Sequence, residues 1–393
     1  MTKIKKTDAF NDPTIKVPFV LPEITNEDKN SVVKALSATL LTDGPQLRKF
    51  ENTFSKFTGT KYAIGVSNAT AALQLSMKAL GIGKGDEVIV PDMTFVATAN
   101  AVISCGAIPV LADVEKETMN ISLDSIKNNL TAKTKAILPV HFAGRICNMN
   151  GIKKITKHNG LMLIEDCAHA IGAKFGNKHA GTFGEVGCFS FYPTKNFTTI
   201  EGGMVITNSK TIAKFVTESR NHGITKTLDD RFSHGKPWDY DINEPGYNYR
   251  LDEIRSSLGL NQIKRIKKIH LLRKKACNYY NSKLKKIKGI STPNFSDISS
   301  NAFHLYIIRL TDKFPISRDE LFSKLLQNGI RTSVHYKPLH KFTGIKKYAR
   351  CYDKLVNSES LYNEIISLPL YPKLKYSEAY QYTKILKNIV KAI

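Results

Sequence analysis

Six cysteines, at positions 105, 147, 167, 188, 277 and 351, include no Cys-x-x-Cys pair and no His/Cys spacing of a zinc site. Their scarcity and spacing exclude a disulfide framework and a metal knuckle, so no metal is expected and a reducing cytoplasm is the expected setting. Long apolar runs are also missing: none approaches the roughly 18 residues of a spanning helix. The N-terminus reaches Asp8, Asp12 and Pro13 with no apolar stretch behind its early lysines, so a soluble, unexported protein is expected. No internal repeat or low-complexity tract is present. Acidic residues are few, 34 against 58 Lys and Arg, leaving a net charge of +24. That balance directs attention to nucleic acid, an anionic membrane surface or a phosphorylated small molecule, without choosing among them.

What is present is enough to build a sizeable core: 42% of the 393 residues are hydrophobic and 9% aromatic. The length suits two or three domains, or one large α/β unit with a smaller one appended. From about residue 60 to 210, short apolar runs rich in β-branched residues alternate with helical patterns. The runs are Tyr62–Val66, Glu87–Val90, Ile108–Val114, Ala136–His141, Leu161–Glu165, Gly187–Phe191 and Met204–Thr207. Helices are predicted over Thr70–Leu80, Thr94–Ser104 and Met149–Lys157. This alternation predicts an α/β domain with a mostly parallel sheet, binding its ligands at the carboxyl ends of the strands.

The texture changes after residue 220, where Gly235, Pro237, Pro245 and Gly246 punctuate a polar stretch. A long connecting helix is then predicted from Leu251 onward, its apolar positions Leu251, Ile254, Leu258, Ile263, Ile266 and Ile269 recurring at three- to five-residue steps. A strand over Phe303–Leu310, a helix over Arg318–Gln327, a turn-rich His335–His340 and a helix near Ser377–Lys391 make a smaller α+β unit. The expected division is an N-terminal segment 1–30, a large domain 31–262 and a C-terminal domain 263–393.

Asp166 closes the apolar run Leu163-Ile164-Glu165, and Lys195 follows 29 residues later, just past Phe189-Ser190-Phe191. A sheet presents both side chains at one carboxyl edge. An acid and an amine meeting there make either a salt bridge or the pair that pyridoxal phosphate demands. That cofactor needs a lysine for its Schiff base and a carboxylate that keeps the pyridine nitrogen protonated. A phosphate anchor should accompany such a pair. Ser67-Asn68-Ala69-Thr70 lies between a strand and a helix, where backbone N–H groups and the Thr70 hydroxyl face an anion at the positive end of the helix dipole; an ordinary N-cap reads the same way. Ser190 offers a second hydroxyl, and Phe95 sits at another strand-to-helix turn where it can stack on a ring or pack in the core.

At this point the chain resembles the DegT/DnrJ/EryC1/StrS group of sugar aminotransferases. The motifs run in family order: Leu41-Thr42-Asp43-Gly44-Pro45 before Phe50-Glu51, the Ser67–Thr70 turn, Thr94-Phe95, Pro139-Val140-His141, Glu165-Asp166-Cys167-Ala168-His169-Ala170, Ser190 with Lys195, and Glu201-Gly202-Gly203. Gly246-Tyr247-Asn248-Tyr249-Arg250-Leu251 and His335-Tyr336-Lys337-Pro338-Leu339-His340 follow. The resemblance implies fold type I, a pyridoxal-phosphate transferase with a large domain built on a mostly parallel seven-stranded sheet and a smaller C-terminal α+β domain.

It further implies that Lys195 forms the Schiff base and shuttles the proton, that Asp166 pairs with the pyridinium nitrogen and that His169 meets the cofactor's phenolic oxygen. Ala69, Thr70 and Ser190 would hold the phosphate, with Phe95 on the ring. Asn248 matches an asparagine that reaches the phosphate from the other subunit, implying a homodimer with a composite site. Substrate contacts are expected from Thr42, Arg250, His335, Tyr336 and His340, with Lys337 a further candidate. The implied reaction moves an amino group from L-glutamate, leaving 2-oxoglutarate, to a keto carbon of a nucleotide-linked 4-keto-6-deoxy sugar for surface polysaccharide. C4 is the expected position and C3 the alternative.

Two departures stand out: Ala69 where the family often has Gly, and Ile200 in place of the glycine that commonly precedes Glu-Gly-Gly. Some relatives replace the lysine by histidine and dehydrate sugars; Lys195 argues against that branch. The rival reading is a catalytically silent, nucleic-acid-binding or regulatory relative. It draws on residues 251–288, where twelve Lys and Arg oppose only Asp252 and Glu253. No helix-turn-helix, zinc finger or RNP-like motif supports it.

Overall fold

The computed structural model describes residues 13–226, 228–233, 236–295 and 300–391, so the N-terminal residues up to Asp12 lie outside the described part. The seven apolar runs become one sheet. In chain order its first strands are β1 (Tyr62–Val66), β2 (Glu87–Pro91), β3 (Ile108–Ala112), β4 (Thr134–Ile137) and β5 (Met162–Asp166). A small hairpin, β6 (Lys174–Phe175) with β7 (Lys178–His179), precedes the last two, β8 (Val186–Ser190) and β9 (Gly203–Thr207).

The spatial order is β1-β9-β8-β5-β4-β2-β3. Pairing is parallel from β8 through β5, β4 and β2 to β3, and only β9 runs against its two neighbours. The carboxyl ends of the other six strands therefore share one edge. Both faces of the sheet are covered, which is why β2 and β9 are buried at every position, with unbroken apolar runs Val88–Pro91 and Gly203–Ile206 rather than alternation. Each Val or Ile so buried contributes about 1.5–3 kcal/mol before chain entropy is counted.

The remainder forms a three-stranded antiparallel sheet, β10 (Ile290–Ser291), β11 (Tyr306–Leu310) and β12 (Ile365–Leu368), with helices Arg318–Gln327 and Tyr376–Lys391 beside it. Two predicted elements change. The single connecting helix is two, Glu253–Lys264 and Ile266–Leu284, broken at Arg265 where φ is −99° and ψ 0°. The second of these serves both cores: Ile266 and Ile269 pack under the large sheet, Ala276, Cys277 and Tyr280 under the small one. The strand predicted from Phe303 starts only at Tyr306, because Phe303 adopts φ +54°.

The N-terminal segment is held by both parts. Lys16 and Val17 donate their N–H groups to the Gly329 carbonyl, and Val17 is buried in the small core. Helix Asn26–Leu36 is tied to helix Glu253–Lys264 through Asp28, whose Oδ2 accepts from Gln262, and through Arg265 just beyond it. Among the described residues no helix is long and apolar enough to cross a membrane.

Candidate active site

Asp166 ends β5 and is buried, with Oδ2 accepting from the Thr98 hydroxyl at 3.0 Å and Oδ1 from the Ala168 N–H at 3.0 Å. Burial pushes its carboxyl above the usual range, opposed by those two hydrogen bonds and by the charge of Lys195. The neighbouring Glu165 faces the other way, as strand alternation requires. It accepts from His141 Nε2 at 2.9 Å and from the N–H groups of Gly181, Phe183 and Gly184, which fixes the end of β5 from behind.

Lys195 sits on the turn after β8, its N–H donated to the Tyr192 carbonyl. The side chain is half-buried, and burial pushes its amine down to about 8 against the pull of Asp166. It opens on a small cavity walled by Phe19, Thr194, His304, His335 and Tyr336. Those last three rings surround an amine that has no salt bridge among the described residues.

Across the same edge lies a place for an anion. Asn68 caps helix Ala69–Ala79 by accepting the Ala71 N–H at 2.9 Å, leaving the N–H groups of Ala69 and Thr70 at the first helical positions, where no intrahelical partner exists. Ala69 is helical rather than at positive φ, so the departure from glycine leaves its N–H in place. Ser190 pairs with Gly203 across β8 and β9. A Cβ on Gly203 would meet the Asn68 carbonyl at 2.6 Å, so glycine is what allows the helix N-terminus and Ser190 to approach.

The other predicted residues fall into two groups. Phe95 stays on the turn because helix Ala97–Ser104 begins three residues later than expected; it is 56% exposed, with its ring 6.0 Å from that of Tyr336. His169 is buried, with Nδ1 accepting from the Ala143 N–H at 3.3 Å and Nε2 3.0 Å from the Tyr336 hydroxyl. His335 bonds Ser367 Oγ at 2.9 Å and stacks on Phe19; burial pushes its ring down to about 3.

The second group lines the free edge of β1. Arg250 bridges Val66 and donates to Asn221, Asn248 is exposed opposite Asn221, and Thr42 bridges Asp252. His340 is not brought to the Lys195 cavity. Its ring is held by Asp92 at 2.7 Å and Glu359 at 3.2 Å, tying the C-terminal part to the end of β2. Lys337 reaches over the Phe342 ring at 4.8 Å.

Sequence reasoning missed Thr98, Phe19 and His304. It also missed Arg273, a buried arginine whose guanidinium donates to the carbonyls of Phe303 and His304 at 2.7 and 2.6 Å. Thr98 was legible in principle, one helical turn after Thr94; the others are brought in from distant segments. His141, Glu165 and Cys167 have ligand atoms within 4.8 Å of one another, yet both Glu165 oxygens are already taken up by protein hydrogen donors.

The arrangement fits pyridoxal phosphate: a half-buried amine, a buried carboxylate with lone pairs to spare, an exposed aromatic face at Phe95, and an anion cradle that a Cβ at position 203 would close. Lys195 and Asp166 would hold its reactive and ring ends, with Ala69, Thr70 and Ser190 on its phosphate.

Comparison with known proteins agrees. Residues 22–387 match the DegT/DnrJ/EryC1/StrS aminotransferase family. The spore coat polysaccharide biosynthesis protein SpsC of Bacillus subtilis is 35% identical over 378 residues, 95% of this chain and 97% of its own. Among solved structures, Spr1654 of Streptococcus pneumoniae, described as a sugar aminotransferase and solved in its PMP-form, superposes with a TM-score of 0.89 at 29% identity. That match covers 96% of this chain and 99% of the other. PseC of Helicobacter pylori, an aminotransferase of pseudoaminic acid biosynthesis, gives 0.87 at 28%, covering 96% and 100%. The chain belongs to the DegT/DnrJ/EryC1/StrS family and is a pyridoxal-phosphate-dependent sugar aminotransferase of fold type I.

Proposed function

From membership of this family as the premise, we propose that the protein moves an amino group from L-glutamate to C4 of a nucleotide-linked 4-keto-6-deoxy sugar, in the cytoplasm, for surface polysaccharide. Amination at C3 is the alternative. The carrying observation is the meeting of Lys195, Asp166 and the Ala69–Thr70 N–H groups at one sheet edge. The relationship to SpsC supports the polysaccharide setting.

When bound, pyridoxal phosphate supplies an electron sink for the carbon next to the transferred nitrogen. Asp166 would hold a proton on the ring nitrogen, without which that sink is weak. Lys195 Nζ, neutral in a sizeable fraction near its pKa of about 8, would take the proton from one carbon and return it to another. His304, His335 and Tyr336 line the space where an acceptor would sit, with Phe19 closing it against water. The division into a cofactor-holding unit, 31–262, and a C-terminal unit, 263–393, belongs to the same reading.

The site is read as composite. Asn248 is exposed on the β1 edge, and the segment before it leaves Phe232 and Trp238 67% and 73% exposed, with Tyr240 and Ile242 beside them. Large apolar side chains left uncovered in this way favour a protein partner, here a second copy of the chain.

The test is incubation with glutamate and UDP-, GDP- and dTDP-linked keto sugars, with the product identified by mass and NMR. The expected result is one amino sugar, aminated at C4. In Lys195→Ala the rate should fall by at least about a thousandfold and the Schiff-base absorbance should be lost. Full turnover by that variant would sink the assignment.

A further inference from the structure

Hydrogen-bond bookkeeping around His169 fixes the direction of a relay. A neutral imidazole has one N–H and one lone-pair nitrogen. Nδ1 of His169 receives the Ala143 N–H at 3.3 Å, so the ring proton must reside on Nε2. Nε2 lies 3.0 Å from the Tyr336 oxygen, which therefore accepts. The phenolic proton of Tyr336 is left to point elsewhere, and among the described residues no atom is seen to accept it.

The surroundings say where it points. The Tyr336 ring is 6.0 Å from Phe95 and 6.0 Å from Phe142, the latter pair T-shaped, and it forms part of the wall of the Lys195 cavity. The backbone enforces this: Ala143 adopts φ +53° and Phe303 φ +54°, both unusual for residues with a Cβ. The first aims its N–H at His169, and the second sets His304 with its ring centroid 4.5 Å from that of His169. Strain held on two segments around one imidazole is what pre-organisation of a donor requires.

We propose that Tyr336 is a catalytic residue that donates a hydrogen bond to an anionic oxygen held beside Lys195, and that His169 is a positioning residue acting through it. This rests on the placement of the cofactor at Lys195 and Asp166. The phenol keeps its proton throughout: burial and the field of Asp166 push it well above its ordinary value, and burial with the charge of Lys195 holds His169 well below its own. The oxygen has two sources, the cofactor's phenolate or the oxygen on the sugar's reacting carbon.

The test is a titration of the visible band of the cofactor-loaded enzyme without substrates, combined with rates for the sugar half-reaction, in Tyr336→Phe. If the cofactor is the acceptor, loss of a donor to its phenolate should raise the band's midpoint by about one pH unit, the worth of one hydrogen bond. If the sugar is the acceptor, the titration is unchanged and kcat falls about tenfold or more with little change in KM. His169→Leu should reproduce either effect without adding to it in the double variant, and His169→Gln, which can still accept and donate, should restore most of it. Tyr336→Phe with an unchanged midpoint, kcat and KM overturns the relay. Persistence of the Schiff-base band, as distinct from the absorbance of the free cofactor aldehyde, in Lys195→Ala titrated alongside refutes instead the Lys195 placement beneath it.

Discussion

Among the described residues no carboxylate pairs with Lys195, and its lowered pKa has a kinetic consequence. The neutral amine is the nucleophile that captures the cofactor aldehyde. With the amine at about 8, capture by cofactor-free protein should rise about tenfold per pH unit up to pH 8 and flatten above it, followed by absorbance. A rate independent of pH from 6 to 9 contradicts this. Ile200 is the other residue with an individual cost. It sits at φ +73° and is 58% exposed, a β-branched side chain in the left-handed region with little packing to offset it. Ile200→Gly should raise stability to urea by about 1 kcal/mol, and a loss would show that the side chain is held by contacts. The departure from a family glycine was visible in the sequence, but its cause, a backbone angle, was not.

At the scale of elements, helix Pro45–Thr58 starts at Gly44 with no cap from its own sequence. The cap comes from Glu253, whose buried carboxylate accepts the N–H groups of Gly44, Gln46 and Leu47. Glu253→Ala leaves these donors unpaired and should cost about 2–3 kcal/mol in urea unfolding, with Glu253→Gln losing less. No loss in the alanine variant would mean that water replaces the carboxylate. The example explains what was legible beforehand. Strands such as Tyr62–Val66 and helix Arg318–Gln327 follow from local periodicity and capping, and Asp166 and Lys195 follow from their place at strand ends. Glu253, Arg273 and His304 act across more than a hundred residues or through strained turns, and local pattern carries no trace of that. The break at Arg265 was hidden for a related reason: Ile263, Ile266 and Ile269 remain buried on both sides of it, so the apolar period runs through.

For the molecule as a whole, the shared site makes a sharp prediction. Mixing Lys195→Ala with Asn248→Ala subunits should restore activity, since each heterodimer has one site with both residues intact; confirmed exchange without recovery removes the shared-site reading. The net charge of +24 finds no such use. Lys267, Lys268, Lys275, Lys285, Lys286 and Lys288 are exposed along and just beyond helix Ile266–Leu284, as on a solvated outer face. The path of the N-terminal segment bears instead on how the enzyme is made. Val17 pairs with Ile330, so the segment emerges from the ribosome about 15–60 s before its partner exists, at ordinary rates of synthesis. Phe19, two residues on, walls the Lys195 cavity. A nascent chain therefore acquires Lys195 and Asp166 long before it can close a pocket around them, and the finished site is one of the last things folding delivers.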